Sequence, residues 1–444
     1  MTTVIPGEEW RNVHDLDRHY LKHLRPEAEV LAEARANIER LRKATVALRL
    51  VDARGAPLRG LTVRLVQQRH EFVFGCSSGG VLRDDVEPSR RERNRLFTDL
   101  FNGTHAKCYW DEKWHNPIET RQGCRDTAQF TAEIDWGVAN GLIVRGHPLV
   151  WTVPKAIPQW MRKYSYPQQM AFLEHHVRSL IQAAAGRIKL WDLVNEMLWE
   201  PSLRNVASRD WPHIETTDEM LSYIEPAMRW AREEDPTARY VLNDYGLERT
   251  YTPMKGVNAP QQRQRLVELI AALRSRGAAP DAIGTQGHVG KWFHMDLVHQ
   301  VFNDLARSGV PVQVSEFWAG LDDCPEPEGK TPQQILEERV RYVCDYYTVA
   351  FGHPSVDHLS YWGGKEFFER DGWMPSALYL GLHQLIRKDW WTDVSLTSDA
   401  HGVLHARAFY GDYHLMWNDA HGTPHIREVR LECGRSHDGT LTLH

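Results

Sequence analysis

Two glutamates stand at the ends of apolar runs: Glu196 closes I-K-L-W-D-L-V-N-E (188–196) and Glu316 closes V-Q-V-S-E (312–316). A carboxylate at the end of a buried strand either caps the next helix, where the dipole favours negative charge, or faces a cleft. Other runs end in the same way. His147 follows L-I-V-R-G, Asn243-Asp244-Tyr245 follow Y-V-L, Gln286 and His288 lie in A-I-G-T-Q-G-H, and Trp362 follows H-L-S-Y. A helix cap serves only its own helix, so caps alone do not produce such a set. Two carboxylates among amides, imidazoles and indoles can cleave a glycosidic bond, if one is kept protonated and the other ionised. Set on two sides of one cleft, they are expected near the ~5 Å separation of retaining chemistry. On this reading Glu316 attacks the anomeric carbon, while Glu196 protonates the leaving oxygen and later activates water. Asn195 binds the sugar 2-hydroxyl, His288 orients Glu316 and Gln286 supports Glu196. His147, Asp244, Tyr245 and Trp362 complete the expected sugar-binding surface. A metal site using His147 and His288 is the weaker alternative. The histidines are not at metal-motif spacings and glycoside cleavage needs no metal, so no cofactor is expected.

Such residues converge only if a scaffold brings strand ends together. From residue 72 the chain alternates short apolar runs with helical periodicities. The runs are 72–75, one within 101–109, 142–147, 188–196, 240–245, 282–288, 312–316 and 358–363; the helical stretches include 168–185, 217–234, 261–277 and 332–350. Eight buried strands, each followed by a helix, predict an α/β fold, the (β/α)8 TIM barrel, whose site lies at the C-terminal strand ends. The expected organisation is a helical segment over 1–43, a β-hairpin over 44–70, the barrel over 71–390, and C-terminal strands over 391–444. The hairpin and the C-terminal strands would form one small β-sandwich. Its alternating strands show no exposed aromatic row, so it is expected to close the lower end of the barrel, with Trp390-Trp391 at the joint.

Composition narrows the partners. A net charge of −6 gives no reason to expect nucleic acid, and the arginine-rich run 89–95 is broken by Glu92 within a helical pattern, as on a solvated face. The six cysteines lack C-x-x-C spacing, and no stretch is long and apolar enough to span a membrane. The start, M-T-T-V-I-P-G-E-E-W, has no basic segment followed by an apolar one. The chain as given is therefore expected to be soluble and cytosolic, secretion requiring a leader already removed. With 17 Trp and 15 Tyr it has many flat apolar faces with polar edges, suited to a core or to stacking on sugar rings.

The segments R-G-H-P-L-V-W (145–151), W-D-L-V-N-E (191–196), L-N-D-Y (242–245), G-T-Q-G-H (284–288), V-S-E (314–316) and Y-W-G-G (361–364) with Trp373 resemble, in order, the signatures of glycoside hydrolase family 10. That family comprises endo-β-1,4-xylanases and relatives, retaining (β/α)8 enzymes. The resemblance implies Glu196 as acid/base and Glu316 as nucleophile, adds Trp151 and Trp373 to the binding surface, and implies a carbohydrate substrate, β-1,4-xylan or xylo-oligosaccharides. Departures fall on the glycone side. Thr152 stands where the family has the histidine of His-Ser-Gln, and the strand-two Glu-Asn-x-Met-Lys-Trp is absent. Neither Lys107 nor Lys113 aligns with the family lysine, Trp318 replaces an aspartate, and Lys365-Glu366 are unusual. Two other readings stay open here: a retaining hydrolase of a different β-linked glycan, and a non-catalytic carbohydrate-binding barrel.

Overall fold

The structure is a computed structural model that describes residues 24–77, 88–111, 117–199, 203, 214–248, 256–288, 292–325, 327–369, 374–419 and 421–443. Helix α1 (Glu27–Leu41) leads into two strands, β1 (Lys43–Val51) and β2 (Thr62–His70). The barrel strands follow as β3 (Val73–Cys76), β4 (Gly103–Lys107), β5 (Ile143–His147), a two-residue β6 (Val150–Trp151), β7 (Leu190–Asn195), β8 (Arg239–Asp244), β9 (Ala282–Thr285), β10 (Val312–Phe317) and β11 (Val356–Tyr361). Between them run α2 (Pro88–Leu100), α3 (Ala128–Ala139), α4 (Tyr166–Ala184), α5 (Thr217–Glu234), α6 (Ala259–Ser275), α7 (Met295–Ala306) and α8 (Pro332–Gly352), with α9 (Ala377–Gln384) after β11. The eight main strands pair in parallel, and β11 pairs with β3 to close the ring. Capping boxes start α5, α6 and α8: Thr216 with Glu219, Asn258 with Gln261, and Thr331 with Gln334 satisfy otherwise unpaired first-turn N–H groups. No helix among the described residues is long and apolar enough to cross a membrane.

The barrel interior holds charge as well as apolar groups. Arg145, 1% exposed, donates Nε–H to Asp192 Oδ2 (2.8 Å), pairs also with Asp192 Oδ1, and donates Nη1–H to Gln313 Oε1 (2.6 Å). Burial opposes the Asp192 charge, but Arg145 and His147 outweigh it and hold the carboxyl below its ordinary value. Asp192→Ala would strand the guanidinium in the interior. We expect it to destabilise the fold by about 3–5 kcal/mol, read by denaturant unfolding against wild type. Gly146 is set by close approach: a Cβ there would lie 2.1 Å from the Trp191 ring.

The terminal strands form two sheets that face each other. One has the order β13 (Val403–Phe409), β1, β16 (Thr440–Thr442); the other has β12 (Asp393–Thr397), β2, β14 (Gly411–Asn418), β15 (Pro424–Leu431). Val46, Leu48 and Leu50 from the first pack with Val63, Leu65 and Leu415 from the second. The expected hairpin over 44–70 is therefore corrected, because β1 and β2 lie in opposite sheets and do not pair. Residues 52–61 carry the chain across, which lets both alternating strands turn their apolar sides into one core. The last two strands escaped notice in the sequence. β15 is a polar edge strand opening on Pro424, and β16 has three residues.

Aromatic packing joins the sandwich to the barrel. Trp390 lies 4.7 Å from Phe351 and 5.8 Å from Phe74 between ring centroids, and Trp391 lies 5.3 Å from His70. Arg42, between α1 and β1, donates to the carbonyls of Phe351, His353 and Val356. Burial pushes the enclosed His70 down to about 3, so it is neutral.

Candidate active site

The C-terminal strand ends bring two carboxylates into one network. Glu196 directly follows β7 with a φ of 64°, a left-handed conformation that is uncommon without glycine and marks local strain. Its backbone N–H is tied to Asn243 O on the neighbouring strand (2.8 Å). Glu316 lies in β10, where the register against β11 shifts between Val314 and Phe317. The shift lets the consecutive Ser315 and Glu316 both reach Asn243 rather than pointing to opposite faces.

Three amides connect the pair. Gln286 Nε2 donates to Glu196 Oε1 (3.0 Å) and to Asn195 Oδ1 (3.3 Å). Asn243 Nδ2 donates to Asn195 Oδ1 (2.8 Å) and to Glu316 Oε1 (3.0 Å). Ser315 Oγ donates to Asn243 Oδ1 (2.5 Å), which fixes the direction of that amide. With two donors on its Oδ1, Asn195 must turn Nδ2 away, and that group donates to no described residue. Trp151 adds a bond to the other oxygen of Glu196, Nε1–H to Oε2 at 2.7 Å.

The two carboxyls have opposite proton affinities. Burial raises that of Glu196, helped by the charge of Glu316, and outweighs the lowering by Gln286 and Trp151. Glu316, 4% exposed, also resists charge through burial, but His147 and His288 overcome this and lower it. His288 Nε2 is 3.0 Å from Glu316 Oε2, and His147 Nε2 is 3.8 Å from Oε1. His147 Nδ1 meets Asp192 Oδ2 at 2.8 Å, so Asp192 fixes this imidazole as well as Arg145. For His288, burial opposes protonation, but the bond to Glu316 prevails and its proton affinity rises. The arrangement can hold one carboxylic acid and one carboxylate side by side.

Most of the expected residues meet here. The Trp362 ring lies 5.4 Å from His147 and 6.2 Å from His288, and Trp151 lies 5.3 Å from Tyr109. Asp244 does not join them. It is fully buried and accepts the N–H groups of Leu198 and Tyr245 (2.7 and 2.8 Å), bracing the loops after β7 and β8. Tyr245 stands beside Trp199, whose Nε1 donates to Tyr245 O (2.8 Å). Trp373 and Lys113 lie outside the described residues. Asn243 takes the place expected of Asp244. Alternation along β8 decides which of two adjacent polar residues faces the centre, and that parity is hidden when a run ends N-D-Y. Lys107, on β4, sets Nζ 4.8 Å from the Trp362 ring centre, so strand two does deliver a cation. Thr152 is fully buried.

A profile of glycosyl hydrolase family 10 matches residues 89–384, a span holding both glutamates. Over 399 residues the chain is 25% identical to the anti-sigma-I factor RsgI6 of Acetivibrio thermocellus, covering 86% of this chain and 46% of that protein. Over 313 residues it is 30% identical to endo-1,4-beta-xylanase C of Paenibacillus barcinonensis, covering 66% of this chain and 27% of that one. The chain thus spans less than half the length of these two curated relatives. A solved GH10 structure from Paenibacillus barcinonensis superposes with a TM-score of 0.56 at 23% identity, covering 70% of this chain and 94% of its own, a likeness of fold. The family match runs from α2 to α9, more than half of the sequence, and the chain belongs to glycosyl hydrolase family 10.

Proposed function

We propose that this chain is a retaining glycoside hydrolase that cleaves β-1,4-linked xylan or xylo-oligosaccharides by double displacement. What carries the reading is the pair Glu196 and Glu316, joined through Gln286, Asn195 and Asn243 and biased to opposite protonation. Glu316 attacks the anomeric carbon as the glycosidic C–O bond breaks and Glu196 gives its proton to the departing oxygen. Glu196, now a carboxylate, takes a proton from water. That water adds to the anomeric carbon and releases Glu316. The Nδ2 of Asn195, which donates to no described residue, suits a sugar 2-hydroxyl, a contact that strengthens as oxocarbenium character develops. Family membership and the xylanase relative support this substrate, and Trp362 and Trp151 offer indole faces for sugar rings.

A panel of β-linked polysaccharides and oligosaccharides, with product analysis, tests the substrate. We expect xylan or xylo-oligosaccharides to be cut by wild type and left intact by Glu316→Ala. Cleavage of another β-glycan alone would overturn the xylan assignment and leave the hydrolase. No cleavage of any β-glycan or aryl β-glycoside would favour a binding barrel.

The two limbs of the pH profile follow from the same bonds. The Trp151 bond favours the ionised form of Glu196. Trp151→Phe therefore raises the proton affinity of Glu196 further, and the alkaline limb of kcat/KM should move to higher pH while the acid limb, set by Glu316, stays. A pH–rate profile in which the alkaline limb does not move would count against Glu196 as the acid.

A further inference from the structure

We infer that Glu248, which touches neither catalytic carboxylate, is the positioning residue for both, because one of its oxygens braces the turn that supplies a partner to each; the inference rests on the roles proposed above for Glu196 and Glu316. Glu248 lies just past β8, 3% exposed. Its Oε1 accepts the Thr285 hydroxyl and the Gly287 N–H, the latter at 2.9 Å. These two donors flank Gln286, and His288 follows. Gln286 is the residue bonded to Glu196 Oε1, and His288 the residue bonded to Glu316 Oε2, each at 3.0 Å. Two successive polar side chains of one turn thus diverge to the acid and to the nucleophile, and one carboxylate oxygen holds the peptide between them.

The turn has little slack elsewhere. Gly287 has a φ of +73°, and a Cβ on it would lie 2.9 Å from Val314 Cγ1 and 3.1 Å from Phe317 Cα, so the turn is pressed against β10. Its backbone is pinned by Gln286 N to Asp244 O (2.8 Å), Glu316 N to Gln286 O (2.9 Å) and Trp318 N to Gly287 O (3.2 Å). The Gly287 N–H has a side chain as its acceptor, and that side chain is Glu248. The other oxygen, Glu248 Oε2, is buried and meets no hydrogen-bond partner among the described residues. Burying a carboxyl with one oxygen unsatisfied is costly, so the position is not explained by packing alone. The bonds on Oε1 are what the residue provides.

The test compares Glu248→Gln, Glu248→Leu and Thr285→Val with wild type, after far-UV circular dichroism and melting have established which are folded. Two readouts are taken: kcat and KM on an aryl β-xyloside across pH, and carboxyl titration of Glu196 and Glu316 by carbon-13 NMR, which needs no turnover. Glutamine keeps an oxygen for both donors and should hold kcat within about threefold, with neither carboxyl moved. Leucine removes the acceptor. The loosened turn should cost roughly 100-fold in kcat with little change in KM, as a misplacement of about an ångström does. Weakening the Gln286 and His288 bonds, which favour the ionised forms, should move both titrations upward in pH. If the leucine variant does not fold, Thr285→Val, which removes one of the two donors, should show the same upward direction to a smaller degree. Unmoved titrations in every folded variant, or a glutamine variant as impaired as leucine, would overturn the inference. An inactive wild type with carboxyls that still respond to Glu248 would refute the hydrolase reading and leave the brace standing.

Discussion

Replacing Glu316 with alanine should abolish turnover, lowering kcat by roughly 10⁴- to 10⁶-fold, the scale of removing a nucleophile from a preorganised site. The magnitude follows from what is lost together. The oxygen that would form the glycosyl–enzyme bond goes, and so does the negative charge that His147 and His288 stabilise and that an oxocarbenium-like transition state needs beside it. Binding should change far less, because Asn195, Trp151 and Trp362 remain. The variant should keep its fold. Asn243 Nδ2 keeps Asn195 Oδ1 as an acceptor, and His288 is partly exposed, so water can take the place of the carboxylate oxygen at its Nε2. Kinetics on an aryl β-xyloside, with binding measured by calorimetry, separate the two effects. Retained affinity with lost turnover is the expected pattern, and near-wild-type turnover would remove Glu316 from the mechanism.

Glu196→Ala should give the second largest effect, and its size should depend on the leaving group. Removing a general acid and base costs about 10²- to 10⁴-fold. For xylan, whose departing sugar alkoxide is a poor leaving group, both steps suffer. For an aryl glycoside with a strongly acidic phenol, bond cleavage needs little protonation and only the later attack of water is slowed. The intermediate should then accumulate, giving a burst of phenol followed by slow turnover. A small anionic nucleophile such as azide, which needs no base, should restore the second step. Equal losses for good and poor leaving groups, with no burst, would contradict the role of Glu196. A structural fault at this strained residue predicts that uniform loss, so the leaving-group dependence distinguishes the two.

The parts of the molecule legible in the sequence are those governed by periodicity. Runs such as 142–147 and 312–316 are buried on both faces, so they read as continuous apolar segments, and their polar ends mark the barrel mouth. The helical periodicities over 217–234, 261–277 and 332–350 match helices in the structure, each of which starts at a capping box. What stayed hidden depended on parity and on long-range pairing. Asn243 rather than Asp244 joins the carboxylates because alternation is set by strand register, and Ser315 and Glu316 share a partner because of a shift that local sequence does not show. Likewise β1 and β2 alternate as a hairpin would, and only the partners supplied by residues near the other end of the chain assign them to separate sheets. Asp192 and Glu248 escaped notice for a related reason. Each acts through another residue, and a carboxylate with a positioning role has no spacing of its own.

The stereochemistry of the first product tests the central claim most directly. Proton NMR during the first minutes of xylo-oligosaccharide hydrolysis resolves the two anomers before they interconvert. Double displacement through Glu316 predicts that the β-anomer appears first and the α-anomer only later, by mutarotation. Initial appearance of the α-anomer would mean a single displacement by water and would contradict Glu316 as the nucleophile.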